Sequence, residues 1–277
     1  MKANSGYGAV VLVAVAFFMV NGAGRAQESQ PAKKVAEVPD VKFHEFNKDV
    51  PTTFDGKSID LKTAAGKAMQ IYASGDPKAA KQILLIHEWW GLNGHMKGMA
   101  DQFAKLGYRA YAIDMFDGKA ATKPEEAQKL MGAAQADPDG CLARLKAAVA
   151  HSVKENPTAK LGTIGWCFGG GWSLRAAVNE KDVDACVMYY GLMIDDPKAL
   201  ASLNAPVLGI FAKKDAWITP EQVEVFKKAM AAAKKSLTVE MYDADHAFAN
   251  PSGQRFQEKE ARDAWKKTLD FFAKHLQ

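Results

Sequence analysis

The sequence predicts an α/β domain: a mostly parallel sheet with helices on both faces. Three observations predict it. The chain has 277 residues, 48% apolar and 25% charged, a size and balance that suit one large globular domain. Short apolar segments recur at 82–87, 110–114, 161–166, 185–190, 207–211 and 238–242. Between and after them lie stretches with helical character, at 98–106, 124–136, 140–153, 170–178, 220–233 and 254–275. Near-continuous apolar strands separated by helices are the mark of a parallel sheet buried on both sides.

Ahead of that repeat, residues 52–73 hold short alternating segments around Asp55-Gly56 and Ala65-Gly66. These turn signals predict an antiparallel pair at a sheet edge. Asp76-Pro77 then breaks the chain. The domain is expected to run over 46–277, with a polar, flexible lead-in at 27–45.

The N-terminus reads differently. Lys2 precedes an apolar run of twelve residues, 9–20, and small residues follow at Gly24 and Ala26. This is a signal-peptide pattern over 1–26, cleaved after Ala26, and it places the protein in the periplasm or outside the cell. The competing reading is a membrane anchor, but a span needs about 20 apolar residues. The formal charge falls from +4 to +2 once Lys2 and Arg25 are removed. With no basic stripe, nucleic acid is not an expected partner. A monomer acting on a small molecule, with no stable membrane anchor, is the expectation.

Cys141, Cys167 and Cys186 are an odd set with no metal-type pairing. At least one must be free. Cys186 reads as a small buried hydrophobe. A Cys141–Cys186 disulfide is open but little needed in a domain of this size.

The most informative stretch is Gly165-Trp166-Cys167-Phe168-Gly169. It has the form G-x-C-x-G, after a strand and before a helix. It resembles the nucleophile elbow of α/β-hydrolases with Cys in place of Ser. Glycines two residues either side remove Cβ atoms that would clash with a strained turn. The sulfur is thereby lifted to a helix N-terminus. The bland alternative is a Gly-rich turn with an inert Cys.

Such a nucleophile needs a base and a group that orients the base. In this fold the chain order is nucleophile, acid, His. Asp215 follows segment 207–211, and His246 follows segment 238–242. His95 (in a Gly-rich loop), His151 (late in a helix) and His275 (near the C-terminus) fit worse as the base. His87 ends a strand and is open to a structural role. Asp243 and Asp245 are too close in sequence to His246 to sit behind its ring. Asp114 ends another strand and suits structure or substrate binding. The loop after 82–87 should supply one oxyanion N–H from Trp89, and the residue after the nucleophile, Phe168, the other.

From about residue 46 to its end the chain resembles the dienelactone hydrolase family. The resemblance rests on His87-Glu88-Trp89-Trp90-Gly91, on Gly165-Trp166-Cys167-Phe168-Gly169-Gly170, on Asp215 and on His246-Ala247-Phe248. It implies a Cys-His-Asp triad of Cys167, His246 and Asp215 in one α/β-hydrolase domain with little or no lid. It implies an ester or lactone as substrate. Nothing in the sequence calls for a metal or an organic cofactor. The resemblance also implies that Glu88 holds the resting thiol and takes its proton when substrate arrives, which would protect the sulfur from oxidation.

Family members that open dienelactones grip a carboxylate with arginines. One of these lies four residues after the His, where this chain has Asn250. Near Pro124, where the other is expected, stand Lys123 and Lys129. Lysine does not reproduce a bidentate clamp. Trp90, Trp217, Asn250 and Lys123 remain the candidate substrate contacts. Trp89, Trp90, Trp166, Phe168 and Trp217 all fall near strand ends, and about half of them should line a pocket. Arg255 could reach it, or could simply sit on a solvated helix face. Rival readings are a thioesterase or broad carboxylesterase, a thiol redox sensor, and a silent binding protein on the same fold.

Overall fold

The computed structural model describes residues 53–277. The segments 1–26 and 27–45 lie outside the described residues. Eight strands form one sheet: β1 (Lys57–Lys62), β2 (Ala68–Ser74), β3 (Lys81–Ile86), β4 (Arg109–Ile113), β5 (Lys160–Trp166), β6 (Ala185–Tyr189), β7 (Val207–Ala212) and β8 (Leu237–Tyr242). Six helices complete the fold: α1 (Gly94–Lys105), α2 (Pro124–Gln135), α3 (Pro138–Glu155), α4 (Phe168–Asn179), α5 (Pro220–Ala232) and α6 (Glu258–His275). The strand order is β1-β2-β4-β3-β5-β6-β7-β8.

Sequence chemistry explains this order. β1 and β2 are the antiparallel pair expected around Ala65-Gly66, and β2 pairs antiparallel with β4. All remaining pairings are parallel. The inner strands β4, β6 and β7 are buried along their whole length, whereas edge strand β1 is largely exposed. Within β3, Leu84 and Ile86 point into one apolar cluster and Ile83 and Leu85 into another. That alternation is the two-residue period of a strand buried on both faces. α3, α4 and α5 pack on the first cluster, α1 and α6 on the second.

Every expected helix is present, and the differences lie at its ends. α1 begins four residues early because the Asn93 side chain accepts from the Met96 N–H at 3.2 Å. His95 is therefore a helical residue, not a loop one. Asp137 caps α3 by accepting from the Gly140 N–H at 3.0 Å, which puts Cys141 inside the helix. α6 starts at Glu258, so Arg255 belongs to the preceding loop and not to a helix face. All three cysteines are free, so Cys141 and Cys186 do not pair. No helix among the described residues is long and apolar enough to cross a membrane.

The topology also marks a place. β4 lies on one side of β3 and β5 on the other. The loops leaving the carboxyl ends of β3 and β5 therefore diverge and leave a crevice between them. Open α/β sheets bind ligands at such a switch point.

At the opposite end of the strands a polar cluster locks the sheet to α3. Arg109, 4% exposed, donates to Glu155 through Nε at 2.7 Å and Nη2 at 2.9 Å. The Tyr111 hydroxyl donates to the same carboxylate at 2.7 Å. Glu155→Leu leaves the guanidinium buried without its counter-charge, which costs about 3 kcal/mol. Urea unfolding should register that loss, with little change in the arrangement of the crevice 

Candidate active site

The crevice is built from five loops, each at a strand's carboxyl end. β5 ends in the elbow. Cys167 adopts φ 53°, ψ −116°, a conformation that L-residues rarely hold and that costs on the order of 1–3 kcal/mol. Packing holds it there. Its N–H donates to the Tyr189 carbonyl at 3.0 Å, and its carbonyl accepts from Gly170 at 3.0 Å. A Cβ on Gly165 would run into the Gly169 carbonyl, and one on Gly169 into the Ile86 carbonyl. The glycines expected from the G-x-C-x-G pattern are required by close approach.

Cys167 is not fully enclosed, yet burial of its thiol, the nearby Glu88 carboxylate and then Asp215 push its pKa up to about 12. The Phe168 N–H at the start of α4 opposes this without reversing it. At rest Cys167 is a neutral thiol. No hydrogen bond joins Sγ to Glu88 or His246, although reacting groups in empty sites commonly close up only around substrate.

His246 and Asp215 are brought together as the chain order requires. His246 Nδ1 lies 2.7 Å from Asp215 Oδ2. The other carboxylate oxygen accepts from Trp217 and Ile218 N–H groups at 2.8 and 2.9 Å. Burial works against the charge on Asp215, but the His246 and backbone hydrogen bonds outweigh it and hold the pKa below the ordinary range. A fixed carboxylate at Nδ1 leaves Nε2 as the reactive nitrogen.

Glu88 leaves β3 beside the elbow and is 7% exposed. Burial raises its pKa from the ordinary 4.5 to about 7, despite opposing effects of His246, Asn250 and Tyr190. Asn250 Nδ2 donates to its Oε2. This corrects the expected role of Asn250 as a substrate contact: its amide is buried and already committed to Glu88. Lys123 is not brought to the other residues. It is the exposed N-cap of α2, and its side chain makes no hydrogen bond or ion pair among the described residues.

The aromatic residues divide. Trp166 packs in the core against Tyr189 at 5.6 Å, and the Phe168 ring against Phe116 at 5.2 Å. Neither side chain lines the crevice as an open wall. Trp89 and Trp90 are half-buried and meet edge to face at 5.0 Å. Trp217, 59% exposed, meets His246 edge to face at 5.0 Å and carries the Arg255 guanidinium over its ring. The Trp89 N–H donates to no acceptor among the described residues, as an oxyanion donor must.

The remaining candidates are structural. His87 is fully buried, with Nδ1 2.5 Å from the Glu88 carbonyl and Nε2 accepting from the Met115 N–H at 3.1 Å. It ties the Glu88 loop to the loop after β4, and burial lowers its pKa to about 4. Asp114 accepts from Phe116 and Gly118 N–H groups and shapes that second loop. Asp243 pairs with Lys214 at 3.1 Å. Among the described residues no group of three or more His, Cys, Asp or Glu side chains is placed to hold a metal ion.

Sequence reasoning missed Tyr190. It follows β6 at φ 34°, wholly buried, with its ring 5.0 Å from that of His246. Its signal was a hydroxyl-bearing residue just past the carboxyl end of the strand next to the elbow strand.

The dienelactone hydrolase family model matches residues 69–276, a span that takes in every strand named above except β1 and β2's first residue. The chain belongs to the dienelactone hydrolase family. It is a hydrolase of the carboxylic ester class. Protein usf of Aquifex pyrophilus is 32% identical over 203 residues, covering 70% of this chain and 88% of the relative. A Methylorubrum extorquens protein named "Putative carboxymethylenebutenolidase" is 31% identical over 208 residues, covering 70% and 72%. The solved structure of a dienelactone hydrolase-like promiscuous phosphotriesterase from metagenomic libraries superposes with a TM-score of 0.70. That likeness covers 80% of this chain and 100% of the other at 18% identity, and it shows a common fold.

Glu88 gives the site a measurable pH signature. Its pKa is raised on folding, so its contribution to stability is whole below about 4.5 and is lost as pH rises through about 7. Glu88→Gln removes the loss. Thermal melting should show the variant more stable than the parent at pH 8, by about 3 kcal/mol, with the gain gone near pH 4.

Proposed function

We propose that this hydrolase opens lactones or cleaves carboxylic esters with Cys167 as nucleophile, His246 as base, Asp215 as its orienting acid and Glu88 as the acceptor of the thiol proton. The observation that carries the reading is the His246–Asp215 bond at 2.7 Å, set beside a strained Cys167 at a helix N-terminus.

The steps follow from the residues. The Sγ–H proton passes to Glu88, whose raised pKa matches it to proton exchange near neutrality. The thiolate attacks the carbonyl carbon, and the new oxyanion accepts from the Phe168 and Trp89 N–H groups. The C–O bond breaks, the leaving alkoxide takes up the proton that came from the thiol, and a thioester remains on Cys167. His246 Nε2 then takes a proton from water as the hydroxide adds to the thioester. Sγ departs and recovers that proton, which restores the starting thiol. Trp90 and Trp217 are the accessible aromatic surfaces for an apolar substrate portion.

Asn250 favours broad ester or lactone hydrolysis over a requirement for a carboxylated dienelactone, since the residue at that position is bound to Glu88 rather than open to solvent. We further infer export through a signal peptide over 1–26, supported by the apolar run and the small residues before Gln27, and a monomeric state.

Hydrolysis of an activated aryl ester tests the chemistry. Cys167→Ala and His246→Ala should each lower kcat by at least about a thousandfold. Rates equal to the parent in both would sink the assignment. Export has its own test: cell fractionation should find the mature chain outside the cytoplasm with Gln27 as its first residue, and an intact Met1 there would refute cleavage.

A further inference from the structure

Glu88 is buried without a cation bonded to it. Among the described residues its side chain forms no ion pair, and it accepts from the neutral Asn250 amide. The orientation of that amide is fixed from behind, because its Oδ1 accepts from the Ser252 N–H at 2.9 Å. Nδ2 is therefore left to face Glu88. The turn that presents Asn250 is closed by its own N–H donating to the Ala247 carbonyl at 3.0 Å, with Ala247 at φ 64°.

Two buried polar atoms remain without a hydrogen-bond partner at this spot: Glu88 Oε1 and the Tyr190 hydroxyl. They belong to neighbours, since the hydroxyl is near enough to favour the charged form of Glu88. Tyr190 has no freedom to be elsewhere. Its N–H donates to the Ile210 carbonyl at 2.7 Å, and its ring is wedged between His246 at 5.0 Å and Phe248 at 5.7 Å. Leaving a phenol and a carboxylate oxygen both buried and unpaired is costly, whereas a small rotation of the Glu88 carboxylate toward the fixed hydroxyl satisfies both.

We propose that Tyr190 and Asn250 are positioning residues that grip the two oxygens of Glu88, holding its carboxylate ready for the Cys167 proton with neutral donors alone. This rests on the reading of Glu88 as the proton acceptor. It also narrows the substrate. A carboxylate held by neutral donors needs no anionic substrate to release it from a cation. Activation then follows pH, and neutral esters or lactones are turned over as readily as charged ones.

The groups that face Glu88 come from every element around it: His87 beside it, Cys167 from the elbow, Tyr190 after β6, and His246 and Asn250 after β8. Tyr189 faces Tyr190, and Asp215 stands behind His246. The pH step must therefore be assigned by variants of Glu88 itself.

The test is the alkylation of Cys167 by iodoacetamide, followed by mass spectrometry from about pH 5 to about pH 9, which needs no ester turnover. The parent should show a step near pH 7. Losing a donor disfavours the carboxylate, so Tyr190→Phe and Asn250→Leu should each move the step up by about one pH unit. Tyr190→Phe keeps the ring and removes a buried hydroxyl, and Asn250→Leu supplies an independent second reading should either fold poorly. A step at the parent's pH in the folded variants overturns the inference. Glu88→Gln separates the two levels. If the step survives that change, the reading of Glu88 itself is wrong. If it vanishes with Glu88→Gln yet ignores Tyr190 and Asn250, only the present inference falls. In steady state, kcat on a neutral aryl ester and on its carboxylated counterpart should agree within about threefold, and an advantage of about a hundredfold for the charged one also overturns it.

Discussion

Cys167 stands above the sheet because glycine lets α4 begin in contact with the strands beneath it. Gly165 and Gly169 admit the helix to within reach of the β3 and β5 backbones, and no side chain larger than hydrogen fits either place. The φ of 53° follows from that packing, and so does the direction of the Phe168 N–H. The geometry is over-determined from outside, which is the only way a strained residue persists in a folded protein. Cys167, Tyr190 and Ala247 are three of the five non-glycine residues with positive φ among those described. All three sit at the crevice, so backbone strain is gathered where the proposed chemistry occurs.

A second constraint is electrostatic. Two acids border the same site and are treated oppositely. Asp215 receives three hydrogen bonds and stays charged. Glu88 receives fewer and is pushed by burial toward the neutral form. Environments that separate two carboxylates in this way assign them different work. The thiol is raised as well, so the resting site carries little nucleophilic charge until a proton moves. These energies oppose folding locally and are offset by a sheet buried on both faces and by polar locks such as Arg109–Glu155.

Much of the fold was legible because its signals are local or periodic. Apolar runs of strand length identified all six parallel-type strands, and Asp-Gly and Ala-Gly turns identified the edge pair. The proposed triad was legible because the elbow motif fixes one member and chain order orders the rest. Three features escaped for physical reasons. Helix starts depend on caps such as Asn93 and Asp137, which no apolar period reveals. The strand order, and with it the crevice between β3 and β5, is a tertiary choice. Tyr190 and Asn250 matter through contacts 102 and 162 positions along the chain from Glu88, for Asn250 a hydrogen bond that spans that distance. Asn250 was noticed for what it replaces, while its actual partner appeared only in three dimensions.

The three unpaired cysteines have a consequence for how the protein is made. Two are sealed in the core and one lies at the crevice, so no covalent bond between side chains is needed to complete the fold. Folding therefore waits for no oxidant or disulfide isomerase. Biosynthesis and assembly are thus uncoupled from the redox state of the compartment, and the thiol most open to the surroundings is the one at the head of α4.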